Sequence, residues 1–336
     1  MAKVTVLMPT YNVVPYVKEA VESVLQQTYS DLELLVIDDC STDGTLDVVG
    51  AIEDPRIRIE RNERNLGLAD NLNRGLSLIT TEYVARMDGD DIALPNWLEK
   101  EMAYLETHPE VGVCGGGGER FGAVSSIISF PEEHENIAVN MLFQCTIIVP
   151  TFRMSLYHEH GLRYRADAFP AEDYRFWSDA LCVTRLHNIS ETLFRYRMHP
   201  SQICSSRKEE QNGKVTEVQK RMLAHIDGLS SSEMDYFTGQ FLRDIDSSSD
   251  WRQRRKFVKL LLERNRTKGF FDPAALKRQL SFHLQQKLYY TIVGRFFDHG
   301  YSLPAYFRYI GSGLALRTGW HYEVKFFLKS ILHRAQ

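Results

Sequence analysis

The sequence predicts an α/β protein, a mostly parallel sheet with helices on both faces, followed by a mainly helical C-terminal region. Three observations predict it. Apolar, β-branched runs alternate with amphipathic segments from the N-terminus, as in VTVLMPTYN, VPYVKEAVESVLQQT and LELLVIDD. Polar clusters, PTYN, DDCSTD and DGDD, each follow one of the apolar runs. Beyond residue 210 the strand pattern gives way to helical periodicity, so the 336 residues divide into two expected domains, 1–210 and 211–336.

Each element has a local reason. VTVLMPTYN is a β-branched, apolar strand that should stop at Pro9, and Val17, Ala20, Val21, Val24 and Leu25 recur at helical spacing after it. LELLVIDD is almost continuously apolar, as a strand buried on both faces must be. STDGTLDVVGAI starts a helix behind a Ser/Thr/Asp capping cluster. IRIERN, LGLADNLNRGLSLI and TEYVARM continue the alternation. WLEKEMAYLETHP then reads as helix, VGVCGGGGERFG as an irregular segment, TIIVP as a strand and AEDYRFWSDAL as helix. The polar stretch MHPSQICSSRKEEQNGK reads as a loop, and breaks at DGLSSSE, DIDSSSD and FDPAA divide the helical remainder.

Composition excludes several classes. Cys40, Cys114, Cys145, Cys182 and Cys204 are odd in number and contain no CxxC pair, which argues against a disulfide framework or a zinc site and for a reducing compartment. The N-terminal apolar run is too short for a signal peptide, and no stretch approaches eighteen uninterrupted apolar residues, so a cytoplasmic location is expected. The net charge of −4 conceals an asymmetry. Residues 1–250 carry 23 Lys/Arg against 40 Asp/Glu, and residues 251–336 carry 17 against 4.

In open α/β sheets ligands bind beyond the carboxyl ends of the strands, where the three polar clusters fall. Asp88, Asp90 and Asp91 of MDGDD are crowded carboxylates, which either face water or hold a cation. An isolated DGDD reads as a solvated acidic turn. The series VTVLMPTYN, VESVLQQTYSDLELLVIDDCSTDGT, NLGLADNLNRGL, ARMDGDDIALPNWLEK and AEDYRFW with YRMHPSQIC resembles, in order and across residues 3–205, glycosyltransferase family 2, the inverting GT-A enzymes.

The resemblance implies a Rossmann-like GT-A fold and a role for each block. Asp90 is implied as ligand to Mn²⁺ or Mg²⁺, Asp88 as a contact to the ribose or a metal-bound water, and Asp91 as a supporting or alternative ligand. Asp39 is implied as the acceptor for the N3 proton of uracil, which points to a UDP-sugar, with Asp38 beside it. For Asp38 and the Ser41–Asp43 segment, a helix-capping role is the alternative. Cys40 replaces the Gly frequent after this pair. Pro9, Thr10, Tyr11 and Asn12 would wall the base, and Asn71 and Arg74 could reach the nucleotide, the latter equally well forming a surface ion pair. Asn65 and Gly67 read as turn formers.

Asp173 is implied as the base that deprotonates the acceptor hydroxyl, with Glu172 orienting it or touching the sugar; both could instead be first-turn acids stabilised by the helix dipole. Trp177 reads as core or acceptor platform. His199 is a candidate metal or phosphate contact, and Arg207 and Lys208 are candidate lid residues over the diphosphate. CGGGGERFG lacks phosphate-loop spacing and reads as a flexible loop near the acceptor. The expected acceptor is a glycan or lipid-linked glycan, in surface polysaccharide or O-antigen synthesis. Other readings of the same residues are a nucleotidyltransferase, for which PTYN lacks the Gly-rich basic loop, and a noncatalytic sugar-nucleotide-binding or scaffold protein.

Residues 251–336 combine their positive charge with aromatic pairs such as Phe270–Phe271, Tyr289–Tyr290, Phe296–Phe297 and Phe326–Phe327. This composition fits an anionic membrane surface, the inner face of the cytoplasmic membrane; a packed helical subdomain or an oligomer interface is the alternative. No nucleic-acid module is present, so no nucleic-acid partner is expected.

Overall fold

The computed structural model describes residues 2–199, 202, 207–315 and 317–332. The chain divides into two compact units, Met1–Val218 and Gln219–Gln336. The boundary lies inside a helix, Lys208–Leu223, which begins within the stretch that the sequence reads as a loop.

The first unit is built on one mixed sheet. Its parallel half contains β1 (Val4–Thr10), β2 (Leu32–Asp38), β3 (Ile57–Arg61) and β4 (Tyr83–Arg86), in the order β3-β2-β1-β4. Helices α1 (Val17–Leu25), α2 (Thr45–Gly50) and α3 (Leu68–Leu78) connect these strands. Pro9 stays inside β1, opposite Ile37. Every residue of β1 is buried, and the apolar run of β2 is nearly so, because helices cover both faces of a parallel sheet. The register places Thr10 beside Asp38 and Asp38 beside Arg61, so the strand ends form one edge.

Beyond β4 the sheet turns mixed. β5 (Ile92–Ala93) and α4 (Trp97–Thr107) precede β6 (Val111–Gly122), β7 (Ser126–Ile128), α5 (His134–Asn140), β8 (Thr151–Arg153), α6 (Ser155–His158), α7 (Glu172–Ala180) and β9 (Arg185–Met198). The order continues β4-β8-β6-β9-β5, with β7 on β6. The expected strand TIIVP is displaced: the ladder starts one residue after it, at Thr151. β9 was not legible, since RLHNISETLFRYRM mixes charges with apolar residues and has no clean alternation.

CGGGGERFG is corrected most plainly. It lies in the buried strand β6, paired along its length with β9. A Cβ on Gly116 would fall 2.5 Å from Leu193 Cδ1, and one on Gly118 would fall 2.5 Å from Phe194 Cζ. The glycines make room for the β9 side chains and serve packing, not flexibility.

The second unit is helical. After α8 (Lys208–Leu223) come α9 (Ser231–Tyr236), a π-turn Phe237–Phe241, α10 (Ser248–Lys268), α11 (Pro273–Phe296), α12 (Leu303–Gly311) and α13 (Trp320–Ile331). The three expected breaks fall where side chains cap helices. Ser230 and Glu233 form a capping box at α9, Ser247 accepts from Asp250 N at α10, and Asp272 accepts from Ala275 N at α11. Much of the aromatic content expected at a surface is core instead. Phe271, Phe297, Tyr309 and Phe326 are fully buried, with Phe297 and Phe326 stacked at 5.2 Å.

Candidate active site

The loops after β1, β2, β3 and β4 meet at one edge of the sheet. Asp38 is fully buried, and its oxygens accept from Thr10 Oγ1 at 3.1 Å, Ser41 N at 2.9 Å and Ser41 Oγ. Its carboxylate therefore staples the β2–α2 loop. Asp43 accepts from Thr45 N and Val14 N, a local hydrogen-bond set that, against the effect of burial, keeps its carboxyl below the usual range. Cys40 has φ +66°, the left-handed region, which accounts for glycine's suitability there and gives the cysteine a backbone cost.

Asp39 is buried at the centre of this half. It accepts from Asn62 Nδ2 at 2.7 Å, Leu66 N at 2.7 Å and Gly67 N at 2.9 Å. A carboxylate offers about four acceptor positions, and among the described residues these three donors fill all but one. Asn65, expected to shape a turn, donates to the Asp39 carbonyl. Asn71 is buried and bonded to Ile37 O and Asn62, while Arg74 bonds Asn62 and pairs with Glu60 at 3.4 Å. Arg74 thus braces the Asp39 network and holds the expected ion pair. Asn12 N donates to Ser41 Oγ, and Asn12 Oδ1 accepts from Thr42 N, lashing the β1 and β2 loops together; Tyr11 stays exposed beside them. Pro9 is buried in β1.

The three MDGDD acids separate. Asp91 is buried, and its Oδ1 accepts from Arg197 N at 2.9 Å. Burial, then the charges of Asp90 and Asp88, push its carboxyl well above the usual range, so Asp91 anchors β9 to the β4 loop. Asp90 Oδ2 lies 3.0 Å from His199 Nε2, and the His199 ring sits 4.6 Å from that of Tyr16. Burial and the neighbouring Asp88 raise the Asp90 carboxyl, with His199 opposing them. Asp88 is partly exposed and lies 3.2 Å from Arg86. Among the described residues no three His, Cys, Asp or Glu side chains form a ready ligand set. The donors nevertheless suit a hard divalent cation bound through one or two carboxylates, and such an ion would relieve the Asp88–Asp90 repulsion.

Glu172 and Asp173 open α7. Asp173 accepts from Tyr174 N at 2.7 Å. Glu172 is 5% exposed, its Oε2 has no partner among the described residues, and burial followed by the Asp173 charge pushes its carboxyl up to about 7, against Arg86. Trp177 packs edge-on against Phe152 and Phe176, settling it in the core. Arg207 pairs with Glu210 and stands 5.3 Å over the Phe169 ring, and Lys208 is an exposed first residue of α8. Within YRMHPSQIC, residues 200, 201, 203 and 204 lie outside the described residues.

Sequence patterning did not single out Arg86. Its guanidinium is buried at the end of β4, bonded to Asp88 and 5.7 Å from the Tyr164 ring. Burial disfavours its charge, but Asp88, Tyr164, Asp173 and Glu172 outweigh that and hold it firmly protonated. It is a buried cation that interacts electrostatically both with Asp88 of MDGDD and with the Glu172–Asp173 pair. The available signal was a lone Arg inside YVARM, a strand otherwise suited to complete burial.

A family model described as glycosyl transferase family 2 matches residues 5–159. An uncharacterized glycosyltransferase of Haemophilus influenzae is 36% identical over 238 residues, 66% of this chain and 73% of that protein. The Escherichia coli UDP-Glc:alpha-D-GlcNAc-diphosphoundecaprenol beta-1,3-glucosyltransferase WfaP is 27% identical over 214 residues, 62% of this chain and 83% of that protein. The crystal structure of S. aureus TarS 1-349 in complex with UDP-GlcNAc superposes with a TM-score of 0.59 at 19% identity, covering 89% of this chain and 93% of that one, which supports the shared GT-A fold. With the strand-end acids, the α7 acid pair and this sequence likeness all in place, the chain belongs to glycosyltransferase family 2.

Proposed function

We propose that the protein is an inverting glycosyltransferase that moves a sugar from a UDP-sugar to a hydroxyl of a lipid-linked glycan during surface polysaccharide or O-antigen synthesis. The observation that carries the reading is Arg86, bonded to Asp88 and held protonated by Asp88 together with the Glu172–Asp173 pair. A donor-binding acid and an acceptor-activating acid are thereby held in one electrostatic unit. The described relationship to WfaP, a glucosyltransferase acting on a diphosphoundecaprenol-linked sugar, supports the choice of acceptor class.

Asp39 would accept from the base, and Tyr11 and Asn12, on the loop after β1, would wall it. Asp90, with His199 and Asp88, would hold Mn²⁺ or Mg²⁺, which supplies neutralisation of the charge on the departing diphosphate. Asp173 accepts the proton of the acceptor hydroxyl as its oxygen bonds to the anomeric carbon from the face opposite the diphosphate. The bond from that carbon to the diphosphate oxygen breaks, its electron pair leaves with the diphosphate, and the configuration inverts. Arg86 keeps the carboxylates oriented and lowers their mutual repulsion. Arg207 and Lys208, at the start of α8, are proposed as the lid over the diphosphate. The enzyme would work at the inner face of the cytoplasmic membrane, reached through the basic C-terminal unit.

Thermal-shift measurements with nucleotide sugars, with and without Mn²⁺, test the donor half: metal-dependent stabilisation by a UDP-sugar is expected, and none by any nucleotide sugar would overturn the reading. Asp173→Asn tests the acceptor half. Transfer should fall by about 10²–10⁴-fold with donor affinity retained in calorimetry. Unchanged transfer would remove Asp173 from its role.

A further inference from the structure

We propose that the α12–α13 hairpin is an interfacial anchor that lies on anionic lipid, with its axis in the membrane plane. This deepens the membrane reading above by assigning the contact to one surface, and it depends on the glycosyltransferase assignment only for its purpose.

The first observation is the placement of apolar side chains on the outside. On α12, Leu303, Phe307 and Ile310 are exposed at i, i+4 and i+7, with Phe307 66% exposed, while Ala305 and Tyr309 face the core. On α13, Trp320, Val324, Phe327, Leu328 and Ile331 are exposed at i, i+4, i+7, i+8 and i+11, with Trp320 75% exposed. The opposite stripe of α13, Glu323, Phe326 and Ser330, is buried. The rings of Tyr306 and Phe327, 5.3 Å apart, join the two helices. A helix that already buries one face has no folding reason to present a second apolar stripe at helical period.

The second observation is charge. Residues 299–332 contain Arg308, Arg317, Lys325 and Lys329 and one acid, Glu323. That acid is buried and accepts from Tyr309 Oη and Thr318 Oγ1. The surface of the hairpin therefore presents cations without a single exposed carboxylate. A second copy of the same surface would set cation against cation. An anionic bilayer accepts both features, because apolar side chains enter the headgroup boundary and Lys/Arg meet lipid phosphates. Twelve residues of α13 fall short of the roughly 20 needed to cross a bilayer, and no helix among the described residues is long and apolar enough to do so. The helices can lie on a membrane but not span it.

The test is flotation of the full chain with phosphatidylcholine vesicles with or without phosphatidylglycerol. Recovery with the anionic vesicles should exceed that with neutral vesicles at least about tenfold and fall as NaCl rises. The triple variant Phe307→Ser, Trp320→Ser, Leu328→Ser should lose at least about tenfold of this partitioning, and Lys325→Glu with Lys329→Glu should do the same. Circular dichroism and UDP-sugar-dependent thermal shift on the same preparations establish that the variants are folded. A wild-type chain that does not float, serine or glutamate variants that float as wild type, or equal recovery on neutral vesicles would overturn the proposal. So would sedimentation of the wild type as a dimer that the serine variant dissolves, since the stripe would then serve a second copy. A chain that floats as expected yet binds no nucleotide sugar would count against the proposed function and leave the anchor standing.

Discussion

The two units handle charge in opposite ways. At the strand ends of the first unit, Asp38, Asp39, Asp91 and Arg86 are buried, and each is held by named hydrogen bonds or opposite charges. On the α12–α13 hairpin, Arg308 and Lys325 are exposed, the lone acid is buried, and apolar residues lie between the cations. A buried charge costs several kcal/mol to desolvate and persists only where partners fix its position, so it acts as a positioned reagent. An exposed charge costs little, moves freely and contributes through the field it creates, so it acts as an adhesive. Substitution should therefore separate the units cleanly, with chemistry failing in one and location in the other.

The largest separation is expected from Asp90→Asn. It should lower kcat/KM for transfer by about 10²–10³-fold and remove metal-dependent donor stabilisation, while vesicle flotation stays at the wild-type level. Loss of flotation in that variant would show that the units do not act independently. Arg86→Met comes next. Deleting the buried cation leaves Asp88, Glu172 and Asp173 without their common partner, and denaturant titration should show a loss of about 3 kcal/mol. Arg86→Lys, which keeps the charge and loses the fork, should recover part of it.

Glu172→Gln gives a smaller, pH-dependent effect. The folded carboxyl sits at about 7, above its ordinary value of 4.5, so the fold retains a proton that the unfolded chain releases. Wild-type stability accordingly declines as pH rises from about 4.5 to 7 and levels off above. The glutamine variant should match wild type below about pH 4.5 and exceed it by roughly 3 kcal/mol at pH 8 in denaturant titrations. A stability difference independent of pH would remove the buried-acid explanation. The smallest effect belongs to the hairpin: the triple serine variant should unfold within about 0.5 kcal/mol per site of wild type, because each replaced side chain already faces solvent.

The parallel half of the fold was legible because burial on both faces forces continuous apolar runs, and VTVLM and LELLVI have them. The mixed half was not. β6 depends on glycines that fit under Leu193 and Phe194, partners some 75 residues away, and β9 carries four charged residues, Arg185, Glu191, Arg195 and Arg197, whose pairing partners lie in other elements. Within the site, acids at strand ends could be found by position. Their division of labour could not, since Asp91 and Asp90 are adjacent in the chain and yet one bonds the Arg197 backbone while the other meets His199.

The sequence by itself determined the alternation of strands and helices, the family and its inventory of acids, and the polarity of charge between the two ends of the chain, because these follow from local periodicity, motif order and composition. Tertiary structure alone decided which acids are braces, that the buried Arg86 bonds Asp88 and is held protonated by Asp88, Asp173 and Glu172 together, and which aromatics of the basic region are core and which form an exposed stripe. Those outcomes rest on burial and on contacts between residues distant in the chain, and neither quantity is written in any local stretch of it.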